Sequence, residues 1–195
     1  MSLREVPPHQ IATIVTSLEM PKRPKPAPLP PSPLRLARWQ RPSADKYRAL
    51  FRRVGAPWLW FSRLAMADDD LLAIIHDEAV EVYAVADPKG IEVGMIELDF
   101  RNAGHCELSY FGLVPELAGQ QHGRWMMAQT NMLAWRKGVH RFWVHTCTLD
   151  HPSALGFYRK SGFVPYRRHV EIFDDPRLIG LLPRDAAPQI PLLGG

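Results

Sequence analysis

Residues Gly119-Gln120-Gln121-His122-Gly123-Arg124 stand between a run that reads as a strand and a run that reads as a helix. The strand-like run extends from Cys106 to Val114 and is closed by Pro115-Glu116, and the helix-like run continues to Arg136. A glycine-punctuated turn at such a junction suits an anion. The first N–H groups of a helix have no partner inside it, and the helix dipole adds partial positive charge at the same spot. Gly119 and Gly123 would let an anion come close to the backbone. Gln120, Gln121 and His122 add side-chain donors, and Arg124 can pair with a phosphate. His122 is read as a phosphate or solvent contact rather than a catalyst. Cys147 and Ser153 are potential nucleophiles, but neither has a nucleophile elbow around it, so a hydrolase is a distant alternative.

The elements that would hold this loop follow from periodicity. Gln10–Met20 alternates β-branched and other residues and predicts a strand. Seven prolines between Pro21 and Pro33 then make a stiff, polyproline-like connector. Leu34–Gln40 reads as a strand. Ser43 can cap a helix over Ala44–Val54, where Tyr47, Leu50, Phe51 and Val54 recur at helical spacing. Trp58-Leu59-Trp60-Phe61 is an aromatic cluster before a second helix at Asp68–His76, whose acidic start suits the dipole. Val80, Val82 and Ala84 mark the next strand, with a turn at Asp87-Pro88-Lys89-Gly90. The two strands that follow each change phase. Ile91, Val93 and Met95 give way to Ile96, Leu98 and Phe100; Cys106, Leu108 and Tyr110 give way to Phe111 and Leu113. A β-bulge produces such a slip, and burial of both faces is the alternative for the first of the two. Trp125, Met126, Met127, Met132 and Trp135 read as helix–sheet packing.

Composition bounds the function classes. At 195 residues, with 46% hydrophobic and 23% charged residues, one globular domain with a single core is expected. The net charge of +4 is spread along the chain instead of forming a basic stripe, which argues against a nucleic-acid partner. No apolar run is long enough for a transmembrane helix, and the first residues do not read as a signal peptide, so no membrane partner is expected. Cys106 and Cys147 both fall in predicted strands and suit free thiols in a reducing cytoplasm.

The order strand, turn, helix, strand (Arg141–Thr148), helix, strand ends in Ala154-Leu155-Gly156-Phe157-Tyr158-Arg159-Lys160-Ser161-Gly162-Phe163. This resembles the core of the GNAT superfamily, the acetyl-CoA-dependent N-acetyltransferases, closely over Cys106–Tyr166 and loosely over Leu34–Phe173. The resemblance implies a single α/β (α+β) domain, a mixed and mostly antiparallel sheet flanked by helices, with an extra N-terminal strand. The chain would divide into an N-terminal strand segment (1–20), the proline-rich linker (21–33), the acetyltransferase domain (34–174) and a C-terminal tail (175–195). It implies acetyl-CoA as donor, no metal, and an amine on a small molecule or peptide as acceptor. A CoA-binding sensor or scaffold without turnover is the alternative. The tail could wrap the domain or dock on a second copy to give a homodimer.

The family's phosphate motif, Q/R-x-x-G-x-G/A, is met in part. A register from Ala118 puts Gln121 at the middle glycine and Gly123 at the last position; a register from Gln120 makes Gly123 the middle glycine and Trp125 the last. The first keeps the proline spacing and the helical phase of Met126, Thr130 and Leu133. Tyr158 falls where the family's tyrosine protonates the leaving thiolate, although a packing role would also suit it. His151 precedes Ala154 by three residues; it could bond the pantetheine arm or serve the helix start. Main-chain N–H groups at Phe111, Gly112 and Leu113, beyond a bulge, would bind that arm and stabilise the oxyanion. An acceptor amine with a pKa of about 10.4 is neutral only about once in a thousand at neutral pH, so a base is needed. Glu107 heads the candidates because it lies just before the bulge on the Ser109 strand. Glu97, Asp99 and His145 follow, each with a solvated or core role as its alternative. Trp58–Phe61 would form a wall of the acceptor pocket.

Overall fold

The computed structural model describes residues 3–194. Its centre is a seven-stranded mixed sheet with strand order β2-β3-β4-β5-β6-β1-β7. The strands are β1 (Gln10–Met20), β2 (Arg35–Arg38), β3 (Val80–Ala86), β4 (Glu92–Asp99), β5 (His105–Leu113), β6 (Arg141–Cys147) and β7 (Val164–Asp174). The helices are α1 (Ala44–Gly55), α2 (Asp68–Ile75), α3 (His122–Ala134) and α4 (Ala154–Lys160). Every neighbouring pair is antiparallel except β5 and β6.

The extra N-terminal strand does not sit at an edge. β1 lies between β6 and β7 and pairs antiparallel with both, Leu18 opposite Val144 on one side and Ile14 opposite Val170 on the other. Residues far apart in sequence therefore share the right half of the sheet. The linker after β1 has no regular structure, as its proline content dictates, and returns the chain to β2 at the opposite edge.

Helices cover the two faces. α1 is capped by Ser43, whose Oγ accepts the Lys46 N–H at 3.2 Å, and it buries Tyr47, Leu50, Phe51 and Val54 against the sheet. Val54 reaches Gly112 of β5, where a Cβ would stand 2.6 Å from its methyl group, so only glycine admits the helix there. Phe111, one residue away and hence on the other face, stacks on Phe157 of α4. α1 and α4 thus lie on opposite sides of the sheet. β4 is buried on both faces, which accounts for its double apolar phase without a bulge inside Ile96–Leu98.

The core includes a buried ion pair between Arg63 and Glu97. Glu97 is 0% exposed and accepts from the Tyr47 hydroxyl and from Arg63 Nη2, both at 2.5 Å. The tail packs on its own chain: Arg177 forks onto Asp175, and its Nη1 donates to the carbonyls of Ala186 and Ile190. Gln189 then donates to Pro57 O, tying the tail to the loop after α1.

Candidate functional site

The parallel ladder between β5 and β6 lasts only from His105 opposite Arg141 to Leu108 opposite Val144. Beyond it the strands part. On the other side of β5, Glu97 pairs with Tyr110 while Leu98 pairs with Leu108, so Ser109 has no opposite residue. One unmatched residue bends and twists a strand, and here it directs the rest of β5 away from β6. The bulge is thus at Ser109, just before the position where the apolar phase changes in sequence.

A cavity of about 680 Å³ fills the gap, within the range of small-molecule sites. Val114 donates its N–H to Val93 O of β4 at 2.9 Å. Because strand N–H groups alternate in direction, those of Phe111 and Leu113 point to the other edge, into the gap. Both are donors with no neighbouring strand to take them. Gly112 contributes room, not a donor.

α4 presents Tyr158 to this gap. The ring is 7% exposed and packs against Phe111, Phe157 and Phe163. Tyr158 lines the cavity, and its hydroxyl has no hydrogen-bond partner among the described residues. Burial pushes the phenol well above its ordinary pKa, and the Asp150 carboxylate adds to the shift. The group therefore stays protonated throughout the working pH range and can donate.

The anion loop lies at the same end. Gly119 has φ 77°, and Gln121, the residue just before α3, has φ 64°. Gln121 thus occupies the left-handed conformation that glycine adopts without strain, as the first motif register requires. A Cβ on Gly123 would meet the Phe157 ring at 3.4 Å, an ordinary contact, so the packing of α3 beside α4 does not itself require glycine. Gly119, Gln121, His122, Gly123 and Arg124 all line the cavity. Gln120 does not; its amide donates to Glu116 O, and it faces a depression bordered by Pro28, Pro30 and Pro31. His122 Nδ1 pairs with Ser32 Oγ at 3.1 Å, bringing the proline-rich linker against the start of α3. His151 accepts the Ser153 N–H at Nδ1, so it serves the start of α4 and keeps its proton on Nε2. Its ring also meets Trp58 edge-on and lines the cavity.

The opposite side of the gap is roofed by Trp58–Ser62. This segment crosses from β5 to β7: Ser62 Oγ bonds the Tyr110 hydroxyl at 2.6 Å, Trp60 Nε1 donates to Asp150 at 3.1 Å, and Phe61 packs on Phe173 at 4.8 Å. Asp150 also accepts from Thr146 Oγ1 and the Cys147 N–H, so its carboxylate is fully engaged.

The four base candidates separate cleanly. Glu97 is held by Tyr47 and Arg63, and Asp99 by the Arg101 guanidinium at 2.6 Å. Glu107 and His145 come together, with Oε1 and Nδ1 3.5 Å apart on the roofed side of the sheet. His145 lines the cavity, and its pKa is raised by the hydrogen bond to Glu107 against the opposing effect of burial. Glu107 does not itself line the cavity.

Sequence reasoning did not find Asp150, Glu171, Phe173, Thr13 and Val15, all of which line the cavity. Thr13 and Val15 lie on β1 and face the same way as Glu171 and Phe173 of β7. The alternation in Gln10–Met20 was a signal for a strand, but not for its place beside β6. Among the described residues, no three His, Cys, Asp or Glu side chains converge as a metal site, and no helix is long and apolar enough to cross a membrane.

Comparison with known proteins gives a consistent result. The family model described as "Acetyltransferase (GNAT) family" matches residues 34–163. The chain is similar to a GCN5-related N-acetyltransferase from Sphaerobacter thermophilus at 16% identity and TM-score 0.62, covering 84% of this chain and 52% of that one. A spermidine N-acetyltransferase variant from Vibrio cholerae superimposes at TM-score 0.53 with 18% identity, over 75% of this chain and 96% of its own. An aminoglycoside acetyltransferase from an uncultured soil metagenomic sample, in complex with sisomicin, gives TM-score 0.54 and 16% identity over 66% and 87%. Against a functionally unknown protein from Staphylococcus epidermidis the chain spans 63% of that protein's length, as it spans about half of the Sphaerobacter one. These identities show a shared fold. No curated protein matched.

Proposed function

The chain belongs to the acetyltransferase (GNAT) family, and from that premise we propose that it moves an acetyl group from acetyl-CoA to a primary amine by direct attack. The observation that carries this reading is the coincidence, in one gap between β5 and β6, of outward N–H groups at Phe111 and Leu113 with the unpartnered hydroxyl of Tyr158.

The donor is a substrate, and the residues present fit it. Its diphosphate would rest on the N-terminus of α3, with Gly119, Gln121, His122, Gly123 and Arg124 around it. The Phe111 and Leu113 N–H groups would hold the pantetheine arm and the carbonyl oxygen on which negative charge develops. Tyr158 donates toward the departing sulfur. Burial keeps the phenol protonated, so its proton is available when the sulfur leaves. Glu107 supplies the base function through His145: the carboxylate holds the Nδ1 proton, and Nε2 takes a proton from the acceptor ammonium. His151 contributes its Nε2–H to the cavity wall. Gln120 remains a candidate donor only through the loop it stabilises.

A homodimer and a cytoplasmic setting extend the same reading; two free thiols, at Cys106 and Cys147, support the second. The test is direct. Isothermal calorimetry should register saturable acetyl-CoA binding, and thiol release should become amine-dependent. Binding without amine-dependent release across primary amines would leave a CoA-binding module instead of an enzyme.

A further inference from the structure

Every carboxylate around the acceptor side of the gap is engaged except one. Glu97 is occupied by Arg63 and Tyr47, Asp150 by three donors, and Glu107 by His145. Glu171, on β7 opposite Thr13, is solvent-exposed, lines the same cavity and has no hydrogen bond or ion pair among the described residues. Its charge acts on His145, so the two side chains share one neighbourhood. The surrounding wall is aromatic: Trp60, Phe61, Tyr110 and Phe173 border the cavity. Phe61 packs on Phe173 and Trp60 bonds Asp150, which sets aromatic faces along this side of the gap while Glu171 remains open to solvent.

We infer that the acceptor is a small monoamine carrying an aromatic ring, with its ammonium held by Glu171 beside His145 and its ring against Phe61 and Phe173. This rests on the transfer reading above and narrows it. One open carboxylate matches one positive charge. A polyamine or an aminoglycoside would bring further ammonium groups, for which the described residues offer no second unengaged carboxylate at this side of the gap. A lone ammonium gains instead from the aromatic faces and from the carboxylate. The ring on the acceptor supplies the apolar contact that this wall can return.

The experiment has two arms. In the first, 2-phenylethylamine and spermidine are titrated without donor while tryptophan fluorescence is followed, since Trp58 and Trp60 line the cavity. Phenylethylamine should give a saturable change and bind about tenfold or more tightly than spermidine, with Glu171→Gln weakening it by about tenfold, the loss of one partly exposed charge contact. A thermal melt of Glu171→Gln should match the parent, because the side chain makes no contact that the fold needs. In the second arm, thiol release from acetyl-CoA is measured with phenylethylamine, spermidine, an aminoglycoside and a lysyl peptide. A higher kcat/KM for any of the last three, or equal phenylethylamine binding by Glu171→Gln, overturns the assignment. Glu171-dependent phenylethylamine binding with no transfer to any amine would uphold the pocket while refuting the transfer reading.

Discussion

Replacing Tyr158 by phenylalanine removes a single oxygen and leaves its surroundings almost untouched. The ring contacts to Phe111, Phe157 and Phe163, with centroids 6.3, 5.7 and 5.8 Å away, all survive. The lost hydroxyl has no partner in the fold among the described residues, so no buried group is orphaned by its removal. Unfolding free energy should therefore change by less than about 0.5 kcal/mol, the usual scale where no specific feature is lost. Catalysis should respond quite differently. A positioned proton donor contributes about 10²- to 10⁴-fold, and a thiolate is a tolerable leaving group, so the loss belongs near the low end. A fall in kcat of about 10²-fold corresponds to about 2.7 kcal/mol of transition-state stabilisation. Acetyl-CoA affinity should stay within about twofold, because the contact matters only once charge develops on sulfur. Thiol release at saturating acceptor, donor calorimetry and a thermal melt of the same preparation measure all three. An unchanged kcat in a variant that binds donor normally would refute the assignment of Tyr158. A large fall in melting temperature would show instead that the hydroxyl holds the fold.

Other perturbations test the rest of the site. Glu107→Gln removes the group that raises the His145 pKa; neutral imidazole then forms at lower pH, so the rising limb of the kcat/KM profile should move to lower pH while its plateau falls. A shift to higher pH would count against the pairing. Gln121→Gly exchanges about 1–2 kcal/mol of left-handed strain for up to about 1 kcal/mol of added chain entropy. Its stability should rise slightly or hold in urea titrations, with tighter donor binding by calorimetry. Arg63→Met strands the Glu97 carboxylate, which is 0% exposed, and should cost about 3–5 kcal/mol. Because the stranded carboxylate prefers its neutral form, part of that loss should return as pH falls, and a pH-independent loss would contradict this account.

Much of the left half of this protein was legible locally. Ser43 and the spacing of Tyr47, Leu50, Phe51 and Val54 place α1 without reference to anything distant, because capping and helical periodicity act over a few residues. The junction from Gly119 to Arg124 and the tail signature through Phe163 likewise state their chemistry in sequence, and the family match over residues 34–163 covers both. Gln10–Met20 announces a strand by its alternation. What it cannot announce is a partner. The insertion of β1 between β6 and β7 joins residues more than a hundred positions apart, and no short-range pattern encodes which edge a strand will find. That choice put Thr13, Val15, Glu171 and Phe173 on the wall of the cavity. The base is a similar case. Three carboxylates and one imidazole were candidates in sequence, with Glu107 first, and only packing engaged Glu97 and Asp99 while bringing Glu107 within 3.5 Å of His145. Residue types and local spacing determined the kind of chemistry; the long-range pairing of strands decided which side chains are free to perform it.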